Sequence, residues 1–205
     1  MNMATAKIES ARPGRPRCFC EETALDAAMR VFWEKGYEGA SLTDLTEAMG
    51  INRPSLYAAF GDKESLFLKA MARYAEGPAG YLRAALAAPT ARLVVEALVN
   101  GAVELLGNPG NPRGCLSVNG ALAAGHEAER IKSALVEWRK QGEAEIRKRL
   151  KRAQSEGDLP ANLDSADITR YIATILNGLG IQASNGASKA QMTRVAQMAL
   201  QALPF

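Results

Sequence analysis

The segment from Ser41 to Phe60, SLTDLTEAMGINRPSLYAAF, leaves the chain few options other than two short helices joined by a tight turn. Ser41 can cap a helix that carries Leu42, Leu45 and Met49 on one face, and Asp44, three residues on, completes a capping-box-like pattern. Gly50 stands where the chain must leave that helix, because a residue without Cβ adopts the left-handed conformation at little steric cost. Asn52 then caps the second helix. Pro54 falls in its first turn, where the missing N–H breaks no intrahelical bond, and Leu56 and Phe60 at i and i+4 give it an inner face. Arg53, Ser55, Tyr57 and Ala58 are left facing outward. A second helix held at a fixed angle by a first is the simplest device for reading a DNA groove. A helical hairpin with a solvated polar end would use the same pattern.

The neighbouring residues favour the DNA reading. Arg12-Pro13-Gly14-Arg15-Pro16-Arg17 is too rich in Pro and Gly to fold by itself, yet it gathers Arg12, Arg15 and Arg17 in one short arm. Alone it would read as a solvated tail. Beside a helix-turn-helix, such an arm can follow a phosphate backbone or enter a narrow minor groove. Between arm and motif, Glu21 to Lys35 places Leu25, Ala28, Met29 and Phe32 on one stripe, with acids in the first turn and Gly36 just past the end. This is a helix that braces the motif.

In order and spacing, these residues resemble the DNA-binding domain of the TetR family of bacterial transcription regulators. The resemblance runs from Gly14-Arg15-Pro16 through Ala24-Leu25, Phe32, Gly36-Tyr37 and Ser41-Leu42-Thr43-Asp44-Leu45. It continues through Gly50-Ile51-Asn52, Ser55-Leu56-Tyr57 and Phe60 to Lys63-Glu64-Ser65-Leu66. It implies that Arg53, Pro54 and Ser55 meet bases and that Thr43, Tyr57 and Lys63 bind phosphates. Chemistry agrees for most of them: Arg can be bidentate to guanine, while a hydroxyl, a phenol and an ammonium donate to phosphate oxygen. Two positions depart from the pattern. Ala59 stands where many relatives carry His or Tyr, which throws more of the specificity onto Arg53. Cys20 stands where an acidic cap is common.

Composition is compatible with this reading without producing it. In 205 residues the net charge is only +3, and residues 1–75 hold ten basic side chains against ten acidic ones. Basic character is therefore local, and the DNA argument rests on placement. No apolar run is long enough to span a bilayer, and Met1 to Arg17 lacks the apolar core of a signal peptide, so a cytoplasmic protein without membrane contact is expected. Three cysteines do not make a disulfide framework.

The rest of the chain reads as helix after helix, giving an all-α fold: a flexible basic arm (1–20), a three-helix helix-turn-helix domain (21–62) and a larger helical ligand-binding and dimerisation domain (63–205). Helices are expected from Asp62 to about Ala75, Ala91 to Leu106, Arg113 to Ala124, Glu127 to about Glu156, Ser165 to Ser184 and Lys189 to Ala202. The charge run on the fourth of these reads as a solvated face. The last two carry few charges. Ile168, Tyr171, Ile172, Ile175, Leu176 and Leu179 cover more than one stripe of the first, and Val195, Met198 and Ala199 line the second. Such a pair is either a buried centre or a homodimer face that meets its symmetry mate as a four-helix bundle. The resemblance implies the homodimer, with Ile168, Tyr171, Ile172, Ile175, Leu179, Val195 and Met198 at the interface.

It also implies a small-molecule effector in a pocket among the middle helices, for which Tyr74, Leu105, Cys115, Asn119, Leu122, Trp138 and Asn177 are the candidate lining. Cys115 follows a Pro/Gly loop at an expected helix start, where the dipole and Arg113 could lower a thiol pKa. A small buried hydrophobe is the competing reading. Cys18 and Cys20 lack the further Cys or nearby His that a metal site needs, so no metal or cofactor is expected. Enzyme chemistry is not expected either. No phosphate loop, nucleophile elbow or His pair appears, and His126, the only histidine, reads as a helix-start surface residue. The resemblance thus implies a ligand-responsive repressor of a palindromic operator on double-stranded DNA. The alternative is a helical ligand-binding or thiol-redox sensor whose helix-turn-helix does not act on DNA.

Overall fold

Caps and glycines punctuate the described residues into ten α-helices. The computed structural model describes residues 19–122 and 129–205, without the side chains of 120–122. Arg12, Arg15, Arg17, Cys18, His126 and the side chain of Leu122 therefore lie outside the described residues. The helices are α1 (Glu21–Gly39), α2 (Leu42–Met49), α3 (Arg53–Phe60), α4 (Lys63–Glu76), α5 (Tyr81–Leu86), α6 (Ala91–Leu106), α7 (Leu116–Leu122), α8 (Glu129–Ser155), α9 (Ser165–Ser184) and α10 (Lys189–Gln201). A single 3-10 turn, Pro78–Gly80, precedes α5, and no strand occurs among the described residues.

Most boundaries follow from local chemistry. Side chains of Ser41, Asn52, Asp62, Thr90, Asp164 and Ser188 each accept a backbone N–H in the first turn of the helix they precede. Cys20, before α1, makes no such bond. Gly36 adopts φ 71°, so the regular part of α1 ends where the sequence places its end, and one further turn carries the chain to Gly39. Two expectations need correction. The helix read as starting at Arg113 starts at Leu116, because Gly114 takes φ 82° and the chain straightens only after it. The Cys115 carbonyl then accepts the first N–H groups, from Val118 and Asn119. The short α5 is absent from the sequence reading altogether.

Two apolar cores organise the helices. The first joins α1 to α4 and reaches into α7 and α8: Phe32, Trp33, Leu45, Leu56, Phe67, Tyr74, Leu116, Ile131 and Leu135 are all buried in it. The aromatic side chains of α4 lock onto α1 edge-on, Phe67 against Phe32 at 5.1 Å and Tyr74 against Trp33 at 4.8 Å. Arg73 adds a bidentate pair to Asp26, at 2.6 and 2.9 Å, which holds that carboxyl below its usual range. The α4 helix is therefore packed as part of the head while it leads away from it. The second core is built from α6 (Val94, Val95, Leu98), α8 (Ile146, Leu150), α9 (Ile168, Ile172, Leu179) and α10 (Met192, Ala196, Leu200).

This second core corrects the interface read from sequence. Ile168, Ile172 and Leu179 are only 8%, 1% and 2% exposed and pack within the chain's own core. Tyr171, Ile181, Val195 and Met198 are the large apolar side chains that α9 and α10 leave open to solvent, with Ile175 half-buried. Tyr171 ties the two helices together, donating its hydroxyl to the Ala199 carbonyl at 3.1 Å. On the same face, a Cβ added at Gly178 would meet nothing within 4 Å, so the backbone itself is open to close approach.

Candidate nucleic-acid interface and internal cavity

The helix-turn-helix is fixed by a small polar network. The Asp44 N–H donates to Ser41 Oγ at 3.0 Å, and the Ser41 N–H donates to Asp44 Oδ2 at 2.9 Å. From α1, Lys35 Nζ donates to Asp44 Oδ1 at 2.5 Å, so one carboxylate caps α2 and pins it to its brace. The Lys35 hydrogen bond, with those from Ser41, holds the Asp44 carboxyl well below the usual carboxylate range. Gly50 takes φ 66° at the turn. Asn52 Oδ1 accepts the Ser55 N–H at 2.8 Å, while Leu56 and Phe60 anchor α3 in the first core.

What this leaves outside is chemically coherent. Arg53, Pro54, Tyr57 and Ala58 are exposed on α3, with Ser55 half-buried, and Thr43 is exposed on α2. Arg53 Nη2 donates to Thr43 Oγ1 at 3.1 Å, which brings one base-contact candidate and one phosphate-contact candidate together. Lys63, at the start of α4, sits 4.6 Å over the Tyr37 ring. Burial there lowers its pKa, since the ammonium has lost part of its water. The segment from α2 to the start of α4 thus offers a guanidinium fork, a phenol, hydroxyls and an ammonium. They can donate to acceptors at two depths, base edges and phosphate oxygens.

Between α4, α5, α6, α7, α8 and α9 lies a cavity of about 480 Å³. Of the residues singled out in the sequence, Tyr74, Leu105, Cys115, Trp138 and Asn177 line it. Asn119 does not, which corrects its assignment. Its amide is spent on the Arg113 carbonyl (3.1 Å) and the Ser184 hydroxyl (2.8 Å), and it borders a separate polar hollow with Glu34, Lys35 and Arg113. The guanidinium of Arg113 lies beside Gly186, turned to that hollow. Tyr81, Ser117 and Arg139 line the apolar cavity and were missed. The available signal for Tyr81 was its place after Gly77-Pro78-Ala79-Gly80, where an aromatic closes a turn too short for a periodic pattern.

Cys115 is the junction of the cavity wall. Tyr74 donates its hydroxyl to Cys115 Sγ at 3.5 Å, and Sγ lies 3.1 Å from Ser117 Oγ. Burial, with Cys115 beside it, raises the Tyr74 phenol and keeps it protonated. Just upstream, the α6–α7 loop is stitched to the head: Trp33 Nε1 donates to the Gly114 carbonyl at 2.8 Å and Arg30 to that of Gly110 at 2.7 Å. Cavity and head therefore share Trp33, Tyr74 and the Gly114-Cys115 segment. Among the described residues, no group of His, Cys, Asp and Glu side chains could hold a metal ion, and no helix is long and apolar enough to cross a membrane.

A capped helix-turn-helix with outward donors, carried by a helical body that encloses a cavity, defines a DNA-binding transcription regulator. Comparison with known proteins makes the class definite. Residues 24–70 match the profile of bacterial regulatory proteins of the tetR family, and residues 89–199 match that of the tetracyclin repressor-like C-terminal domain. The chain belongs to the TetR family. It is similar to the HTH-type transcriptional repressor ComR of Escherichia coli K12, with 31% identity over 194 residues, covering 93% of this chain and 92% of that one. To the repressor BdcR of the same organism it is 33% identical over 204 residues, covering 96% and 95%. Among solved structures it is similar to a cysteine mutant of the TetR family regulator CifR complexed with 26-bp double-strand operator DNA. That likeness has a TM-score of 0.88 and 43% identity, and covers 93% of this chain and all of that one.

Proposed function

We propose that this protein is a repressor that binds a palindromic operator as a homodimer and lets go when a small molecule fills the cavity beside Cys115. The observation that carries the reading is the Arg53–Thr43 hydrogen bond at the exposed start of α3, with Pro54 and Tyr57 exposed on the same helix. Arg53, Pro54 and Ser55 read bases, Thr43, Tyr57 and Lys63 hold phosphates, and the arm residues Arg12, Arg15 and Arg17 add backbone or minor-groove contacts. Similarity to the repressors ComR and BdcR, and to CifR held on its operator, supports the repressor role.

The open face of α9 and α10 supports a homodimer, in which two-fold symmetry sets two recognition helices in successive major grooves. Regulation would run through shared parts. An occupant that shifts Tyr74 or Cys115 disturbs the Trp33 contacts that seat the head. It acts only if it binds the DNA-incompetent arrangement better, since equal affinity for both shifts nothing. Selection of duplexes from fragmented genomic DNA tests the proposal. A palindrome with half-sites about one helical turn apart, or a multiple of that, is the expected product. Recovery of no common sequence would overturn it.

A further inference from the structure

Among the described residues, one hydroxyl that lines the cavity assigned above to the effector has no hydrogen-bond partner. Tyr81 opens α5, and its ring packs against α6 at Gly101, where any Cβ would collide with it. The glycine thus makes a seat that a larger residue would close. Tyr81 lines the same cavity as Tyr74 and Cys115, and its hydroxyl forms no hydrogen bond among the described residues. Burial, with Cys115 as the second cause, raises its pKa, so it remains a neutral phenol with a proton to donate.

The other polar groups of the wall are engaged, exposed or unselective. The Tyr74 and Ser117 hydroxyls both meet Cys115 Sγ. Arg139 donates to the Ser117 carbonyl at 2.8 Å. Arg83, Gln141 and Glu145 are exposed, and Glu143 is half-buried, so the charged lining residues balance as two cations against two carboxylates. Asn177 offers donor and acceptor alike and does not select. Most of the remaining wall is apolar, formed by Leu82, Leu86, Leu98, Leu105, Trp138 and Leu176. The volume suits a molecule of drug size.

We infer that the cavity takes an uncharged, largely apolar molecule bearing a hydrogen-bond-accepting oxygen, such as a ketone, aldehyde, ester or ether, which accepts from the Tyr81 hydroxyl. A carboxylate would lose its water to a mostly apolar wall whose two guanidinium groups are balanced by two carboxylates, with the half-buried Arg139 already donating to the Ser117 carbonyl. An acceptor-free hydrocarbon would leave the Tyr81 donor dry and unpaired. This inference rests on the reading of the cavity as the effector site.

Three matched probes test it on the full chain by calorimetry: benzophenone, diphenylmethane, which replaces the carbonyl by a methylene, and 2-benzoylbenzoate, which adds a charge. The expected result is benzophenone binding roughly tenfold or more tighter than either, the weight of one hydrogen bond to the Tyr81 hydroxyl. In Tyr81→Phe the ketone preference should fall to within about twofold of the hydrocarbon, with diphenylmethane affinity unchanged. The ratio of ketone to hydrocarbon in the unaltered protein tests the idea even if that variant folds poorly. Equal binding of the two, preference for the carboxylate, or a ketone preference that survives in Tyr81→Phe would each overturn the inference while leaving the cavity as the effector site. Failure of all three to bind would overturn both.

Discussion

Arg53 donates through Nη2 to the Thr43 hydroxyl at 3.1 Å, so the first residue of the recognition helix is steered by the helix before it. In the proposed DNA complex the same hydroxyl would also meet a phosphate, which would give Thr43 two tasks at once. Thr43→Val keeps the side-chain shape and removes the hydroxyl. It should weaken operator binding and also blur the preference at the base Arg53 contacts, by a part of the ~1–3 kcal/mol that a good bidentate pair discriminates. Thr43→Ser should keep both. Titration against operator duplexes altered one base pair at a time separates the two effects. Uniform weakening in Thr43→Val would reduce Thr43 to a phosphate contact.

Arg53→Ala and Lys63→Ala should fail in different ways. Loss of Arg53 should cost about 1–3 kcal/mol on the operator and relax specificity at one position in each half-site. Loss of Lys63 should weaken all duplexes alike and reduce the slope of log K against log salt by about 1 per head. An Arg53→Ala protein with unchanged base preference would move the specificity to another residue of α3.

Asp44 makes the packing of α2 on α1 sensitive to acid. Its folded pKa is lowered, chiefly by Lys35, so its contribution is present above the unfolded value of about 3.9 and is lost as pH falls through the folded one. Denaturant midpoints of the natural protein should therefore exceed those of Asp44→Asn by a constant margin from about pH 5 to 7, and the margin should shrink below about pH 4. A margin independent of pH would show that the carboxylate charge plays no part.

The sequence was most informative where a single residue type has one physical role. Ser41, Gly50, Asn52 and Pro54 fixed the helix-turn-helix, and α6 and α9 begin and end at the residues where the sequence reading placed them. It was least informative where a helix is apolar on several sides. Periodicity could not separate Leu179, in the chain's own core, from Ile181 two residues on, which is exposed. Nor could it assign Asn119, whose amide goes to Arg113 and Ser184, far apart from it in pattern though near in space. Tyr81 escaped because the short helix α5 has too few residues to show a period.

That division of α9 and α10 has a measurable consequence. Val195 and Met198 are 47% and 69% exposed, so Val195→Asp with Met198→Asp should leave the fold intact and shift sedimentation from dimer to monomer. Leu179→Ala should instead destabilise the protomer by about 2–5 kcal/mol, as large-to-small changes in a packed core do. A double aspartate variant that stayed dimeric would place the interface elsewhere.

The central claim is sequence-specific recognition of duplex DNA by the exposed end of α3. The direct measurement is affinity for a selected operator and for a scrambled duplex of equal length, across a salt series. The account predicts binding to the operator roughly a thousandfold or more tighter than to the scrambled duplex at physiological salt, with a steep negative salt slope on both. Equal affinity for the two duplexes would contradict it.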